Sequence, residues 1–234
     1  RNRQIVGVES LIRWNHPERG LLTPDEFIEI AENTGSIIDI GTWVIEEACR
    51  ACKKLNAADD RAIRVAINIS PRQFRDPNLV TTLRRSLREE NLDPQAIELE
   101  ITETMLMHDV EAARITLQRL SDLGVSLAID DFGTGYSSLN YLKRFPIDTL
   151  KVDRSFIMDL PTNADDMAIT SAVIAMAHQL KMEVVAEGVE TKEQLAFLAE
   201  QNCEYAQGWL FSKALPLPEV IDLLSNNIGV IRVA

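Results

Sequence analysis

The sequence predicts an α/β fold in which parallel strands close into a (β/α) barrel with helices outside. Three observations carry that expectation. Short β-branched runs alternate with longer amphipathic stretches, polar side chains within the runs fall on one parity, and acids gather where the runs end.

The elements follow in order. The first run, residues 5–12, sets Gly7, Glu9, Leu11 and Arg13 on one parity and Val6, Val8, Ser10 and Ile12 on the other. Thr23 before Pro24 marks a helix start, because a hydroxyl caps the free N–H groups and proline suits the first helical position. The long helical stretch that follows carries Cys49 and Cys52 on one side. In the second run, residues 63–69, Ala66, Asn68 and Ser70 alternate with Val65, Ile67 and Ile69. In the third, residues 96–101, Glu98, Glu100 and Thr102 alternate with Ile97, Leu99 and Ile101. A helix over 110–123 carries Leu117, Leu120 and Leu123 and ends at Gly124, a residue suited to a left-handed cap. Strands over 125–130 and 148–152, a helix over 166–180, and strands over 183–187 and 204–207 complete the alternation.

Repeated strand and helix imply parallel strands, either in an open sheet covered on both faces or in a barrel. Parity decides. Strands covered on both faces read as continuous apolar runs, whereas a barrel strand turns alternate residues inward, where polar groups can converge. Such a barrel takes about 250 residues and eight strands, and this chain of 234 residues yields seven. The expectation is therefore a modified TIM (β/α)8 barrel, one domain over residues 1–234, with its first N-terminal strand missing from this chain.

Composition fits an ordinary globular domain, with 46% hydrophobic and 26% charged residues. The best apolar stretch, residues 168–180, is shorter than the roughly 20 residues that span a bilayer and contains His178. No signal peptide is visible, so the domain is expected to be cytoplasmic. Cys49 and Cys52 have no second pair to complete a zinc site, and core packing explains them. A net charge of −12 argues against a partner such as DNA or RNA.

Barrel active sites lie at the carboxyl ends of the strands. Here those ends carry Glu9, Glu100, Asp130, Asp131 and Glu187, with the Asn68 amide at the same level. Any one acid could be a solvated loop residue or a helix cap. Together, so many like charges need cations or protons. An all-oxygen set suits Mg2+ or Mn2+, and His16, His108 and His178 show no ligand spacing. Asp130 can point inward and bridge two ions while Asp131 turns toward the second, an arrangement suited to phosphoryl displacement by a metal-activated water. Lys151 shares a parity with Asp153. Two other fragments carry nothing: Gly133-Thr134-Gly135 lacks the third glycine of a dinucleotide loop, and Arg84, Arg85 and Arg88 beside Glu89 and Glu90 read as a solvated helix face.

At these residues the sequence resembles the EAL-domain family of cyclic di-GMP phosphodiesterases along essentially its whole length. The resemblance rests on Glu9-Ser10-Leu11-Ile12-Arg13, Asn68-Ile69-Ser70, Glu100-Ile101-Thr102-Glu103, residues 130–139, Lys151-Val152-Asp153, residues 186–190 and Gln207-Gly208. It implies hydrolysis of cyclic di-GMP to linear pGpG, with two ions per site. It implies Glu9, Asn68, Glu100 and Asp130 as ligands of one ion, Asp130 and Asp131 serving the other, and Glu187 as a second-site ligand or base. Lys151 resembles the lysine that holds or activates the attacking water. Arg13, Asp153, Glu190 and Gln207 fall at substrate-binding positions. Phe132, Gly133, Thr134, Gly135, Tyr136 and Ser137 resemble a loop that links the metal site to a dimer interface, braced by Glu103. The resemblance also implies a homodimer, attached sensory or cyclase domains outside this chain, and an antiparallel strand near the barrel's start.

Two positions depart from the pattern: Ser10 replaces the signature alanine, and Ala214 stands where the family has proline. The alternative reading is a receptor that binds cyclic di-GMP without cleaving it; degenerate members lose ligands, whereas every expected position is filled here. A pure interaction scaffold would leave the acids unexplained.

Overall fold

The structure is a computed structural model that describes residues 4–58, 62–133 and 139–225. Strand β1 (Gly7–Ser10) leads into a small hairpin, β2 (Trp14–His16) and β3 (Gly20–Leu22). Helices α1 (Ile28–Thr34) and α2 (Ile37–Ala58) precede β4 (Arg64–Asn68), and α3 (Pro71–Phe74) and α4 (Leu79–Glu90) precede β5 (Ile97–Thr102). The chain then runs through α5 (Glu103–His108), α6 (Val110–Ser121), β6 (Ser126–Phe132), α7 (Leu139–Leu142) and β7 (Thr149–Val152). It continues with α8 (Ala164–Gln179), β8 (Glu183–Ala186), α9 (Lys192–Glu200), β9 (Tyr205–Ala206) and α10 (Leu217–Ser225).

The main sheet has seven strands in the order β1-β4-β5-β6-β7-β8-β9, each parallel to its neighbour. It is strongly curled. Seven flat strands would hold their outer members roughly 29 Å apart at the usual spacing, yet Gln207, just past β9, donates to Glu9 of β1 across 2.6 Å. At the opposite end of the barrel, Arg64 of β4 lies 4.0 Å from Glu183 of β8. Among the described residues no backbone ladder joins β1 to β9, and the Gln207–Glu9 hydrogen bond spans that edge.

Parity works as expected. Outward residues Ile67, Leu99, Ile129, Leu150 and Val184 are fully buried beneath the helices, against Leu55 of α2, Leu83 of α4, Leu117 of α6 and Ile174 of α8. Each such side chain contributes about 1.5–3 kcal/mol on burial, so this layer fixes the register that aims the other parity inward. Cys49, Cys52 and Cys203 are free and belong to the same core.

Three expectations need correction. The first strand is shorter than residues 5–12: it ends at Ser10, whose hydroxyl donates to the Ala66 carbonyl of the neighbouring strand at 2.7 Å. Arg13 therefore lies beyond the strand, and strand parity does not place it. Residues 14–22, to which the sequence assigned no element, form the β2–β3 hairpin, and the described antiparallel pairing lies there rather than in the main sheet. Finally, residues 204–207 shrink to the two residues of β9.

Candidate active site

A cavity of about 1600 Å³ runs through the barrel, and its lining at the carboxyl ends of the strands includes Glu9, Glu100, Asp130, Lys151, Glu187 and Gln207. At its centre the Lys151 ammonium lies 2.6 Å from Glu100, 2.7 Å from Glu187 and 3.3 Å from Asp130. Lys151 comes from β7, Glu100 from β5, Asp130 from β6, and Glu187 follows β8. Glu9 sits beside them, accepting from Asn68 at 2.6 Å and from Gln207 at 2.6 Å. With its amide nitrogen so engaged, Asn68 keeps its carbonyl oxygen for another donor or a cation.

The two adjacent acids depend on a backbone irregularity. In a regular strand successive side chains point to opposite faces, which would send Asp131 into the helix layer. Pairing between β6 and β7 instead shifts between Ile129 and Phe132, and Asp131 adopts a left-handed φ of 54°. The inserted residue turns Asp131 back toward the cleft. Carboxylate oxygens of Asp130, Asp131 and Glu187 then all lie within 4.8 Å of one another, so these three could hold a metal ion.

Charge at the site is unbalanced. Burial, only partly offset by Lys151, raises Glu100 well above its ordinary value. Glu187 is pushed up to about 7 by burial and by Asp130 and Glu9, against the pull of Lys151. Asp131 is raised by burial and by the neighbouring Asp130 and Asp153 charges. Burial alone would lower Lys151, but Glu100, Glu187, Glu9 and Asp130 outweigh it and hold the ammonium charged. These directions record excess negative charge, which protons or a cation would relieve. The buried Oε2 of Glu100 has no hydrogen-bond partner, and the converging donors are all oxygens. Both facts fit a hard divalent cation such as Mg2+ or Mn2+.

Side chains from several strand ends thus converge on one lysine. The sequence profile of the EAL domain family matches residues 1–214. This chain belongs to the EAL domain family. Over 221 residues it is 50% identical to the cyclic di-GMP phosphodiesterase NbdA of Pseudomonas aeruginosa, covering 94% of this chain and 28% of that protein. It is 44% identical over 220 residues to the bifunctional diguanylate cyclase/cyclic di-GMP phosphodiesterase MucR of the same species, covering 94% of this chain and 32% of that one. The EAL domain thus spans about a third or less of these curated relatives. Among solved structures it resembles the PaMucR phosphodiesterase in complex with c-di-GMP, with a TM-score of 0.89 and 44% identity over 94% of this chain and 89% of that one. The EAL domain of Mycobacterium smegmatis DcpA gives a TM-score of 0.80 and 35% identity over 98% and 92% of the two chains.

The other expected positions scatter more widely across the EAL domain. Arg13 lines the cleft half-buried, its guanidinium donating to the Ile12 carbonyl at 2.8 Å. Asp153 caps the single helical turn Arg154–Phe156, accepting from the Ser155 amide at 3.0 Å. Glu190 is exposed at the cleft edge. Glu103 is buried and accepts from the Gly133 amide at 3.1 Å, directly after Phe132. Thr134, Gly135, Tyr136 and Ser137 lie outside the described residues.

Some contributors escaped the sequence reading. Trp209, 65% exposed, and Arg154 line the cleft, and Lys213 stands 5.2 Å from the Trp209 ring. Below the acids, buried Glu98 pairs with Arg64 at 3.0 Å and accepts from Thr149 at 2.8 Å, forming a second polar layer inside the barrel. The parity of Glu98 with Glu100 was the available signal.

Proposed function

We propose that this EAL domain hydrolyses one phosphodiester of cyclic di-GMP to give linear pGpG. The observation that carries the reading is the convergence of Asp130, Asp131 and Glu187 within 4.8 Å of one another around the Lys151 ammonium. Identity of 50% to a protein named cyclic di-GMP phosphodiesterase supports the substrate.

In this reading Glu9, Asn68, Glu100 and Asp130 would hold one Mg2+ or Mn2+ ion, and Asp130, Asp131 and Glu187 would hold a second. Ions so held supply neutralising charge and a more acidic water. Lys151 would position the attacking water by donating to its oxygen and would add a positive charge against the phosphoryl oxygens as they gain negative charge. Where Glu187 acts as the base instead of as a ligand, it would accept the proton that the attacking water loses. The water oxygen forms the new bond to phosphorus, the bond to one ribose oxygen breaks, and that oxygen leaves as a hydroxyl once protonated. Arg13 and Gln207 flank the cleft, where Arg13 would pair with a phosphate, while Asp153 and Glu190 would meet the nucleotide edges.

The proposal extends to a homodimer formed through the loop that follows Phe132, and to sensory or cyclase domains attached outside this chain. It also extends to a cytoplasmic setting, which fits three free thiols and described helices too short or too polar to cross a membrane.

The test is chromatography of cyclic di-GMP incubated with the purified protein and Mn2+. Conversion to pGpG is expected, with Asp130→Ala and Glu9→Ala reducing it to background. Tight nucleotide binding without linear product would replace the enzyme by the receptor reading.

A further inference from the structure

Helix α9 begins with a capping box in which Thr191 accepts from the Gln194 amide at 3.1 Å and the Gln194 side-chain oxygen accepts from the Thr191 amide at 2.9 Å. A capping box needs only an acceptor at that position, and glutamate serves as well or better beside the positive end of a helix. Glutamine is present, and it is only 3% exposed. Its amide nitrogen explains the choice, because it donates to the Ile157 carbonyl at 3.1 Å and to the Met158 carbonyl at 3.0 Å. Its oxygen also accepts from the Glu190 amide at 2.7 Å.

One side chain therefore joins two loops that both leave the acidic cluster. Glu190 and Thr191 end the segment that begins with Glu187. Ile157 and Met158 end the turn that begins with Asp153, directly after the strand bearing Lys151. That turn is wedged between the remaining carriers of the site. A β-carbon on Gly188, next to Glu187, would fall 2.6 Å from the Arg154 β-carbon. A β-carbon on Gly133, two residues past Asp131, would fall 2.7 Å from the Phe156 ring. Both glycines therefore leave room only for the turn's own side chains, Arg154 and Phe156, and packing this tight transmits a displacement of the turn to both neighbours.

We propose that Gln194 is a positioning residue: it straps the Glu187 loop to the turn after Lys151 and so sets the spacing among Asp130, Asp131, Lys151 and Glu187. The inference rests on the phosphodiesterase reading for its kinetic arm alone. Gln194→Glu separates the two halves of the strap. A carboxylate still accepts from the Glu190 and Thr191 amides, but it presents an oxygen to two carbonyls that need a donor. Thr191→Ala is the structural control, weakening the same helix start while leaving both carbonyls bonded.

The experiment measures thermal melting, Mn2+ affinity by calorimetry, and kcat and KM for cyclic di-GMP on wild type and both variants. For Gln194→Glu the expected result is cooperative melting, Mn2+ affinity reduced about tenfold or more, and kcat reduced about tenfold or more with KM within about twofold, as misplacement of reacting groups requires. Thr191→Ala is expected to melt lower yet keep wild-type affinity and kcat. Wild-type Mn2+ affinity and kcat in a folded Gln194→Glu protein would overturn the proposal. If Thr191→Ala lost both in proportion to its melting temperature, the strap would be no more than a cap, which would also overturn it. If wild type binds Mn2+ but cleaves nothing, the phosphodiesterase reading fails and the affinity comparison still decides the role of Gln194. Should Gln194→Glu not fold, Thr170→Val removes the hydroxyl that donates to the Phe156 carbonyl of the same turn at 3.2 Å. It is expected to weaken Mn2+ binding in the same direction, and unchanged affinity would count against the turn as the linking element.

Discussion

At the scale of single residues, Asp131 is held in a conformation that favours glycine, with φ at 54°. A non-glycine residue there costs on the order of 1 kcal/mol, and the fold bears that cost where the bulge brings a second acid to the cleft. Asp131→Gly is therefore expected to raise stability by up to about 1 kcal/mol in urea unfolding, while cyclic di-GMP hydrolysis falls roughly 100-fold or more. Unfolding curves and turnover measured on the same preparation separate the two effects. Full activity would remove Asp131 from the site. The aspartate pair was legible in the sequence, but its geometry was not. Parity assigns neighbouring residues to opposite faces, and a register shift depends on the partner strand. Lys151 was likewise legible only as a position: its carboxylate partners come from three different strands or strand ends.

Elements are set by pairings of the same non-local kind. Helix α3, only four residues long, is held by a capping box in which Ser70 accepts from the Gln73 amide at 3.3 Å and Gln73 accepts from the Ser70 amide at 3.2 Å. The buried Gln73 side chain fits against Gly41 of α2 so closely that a β-carbon there would fall 2.0 Å from its Cδ. Gly41→Ala should therefore be destabilising although alanine is the better helix former, by about 1–3 kcal/mol. A thermal melt reads this directly, and a rise in stability would show that Gln73 can move without loss. The helices over 110–123 and 166–180 were found to within a turn because their apolar periodicity is local. The β2–β3 hairpin was missed because its strands of three residues carry no alternation long enough to read.

The whole molecule carries its free thiols inside. Burial pushes Cys49 up to about 12, helped by Cys52, Glu90 and Glu46, and burial with Glu204 pushes Cys203 up to about 12. The unfolded chain releases these protons near pH 9, the ordinary thiol value being 9.0, while the folded protein keeps them. Stability is thus fully present below pH 9 and is lost between there and about 12, by about 1.4 kcal/mol per pH unit for each thiol. Urea midpoints measured at pH 8 and 10.5 should show the fall, and a Cys49→Ala, Cys203→Ala double variant should show a shallower one from a lower starting point. An identical slope would exclude the thiols as its cause. At this scale the barrel and its ring of acids were the most legible features, since inward parity and burial act along the entire sheet.

The bond between Glu9 and Gln207 gives the barrel's seam a second meaning. Glu9 and Gln207 join the first and last strands of the main sheet through their side chains. Any ligand that engages Glu9 together with acids across the barrel therefore acts as a clasp on that wall. Deuterium should enter the amides of β1 and β9 before those of β5 and β6, and divalent cation or nucleotide should slow it first at the seam. The time for which a ligand stays bound could then be read from the breathing of two strands, without following the reaction at all.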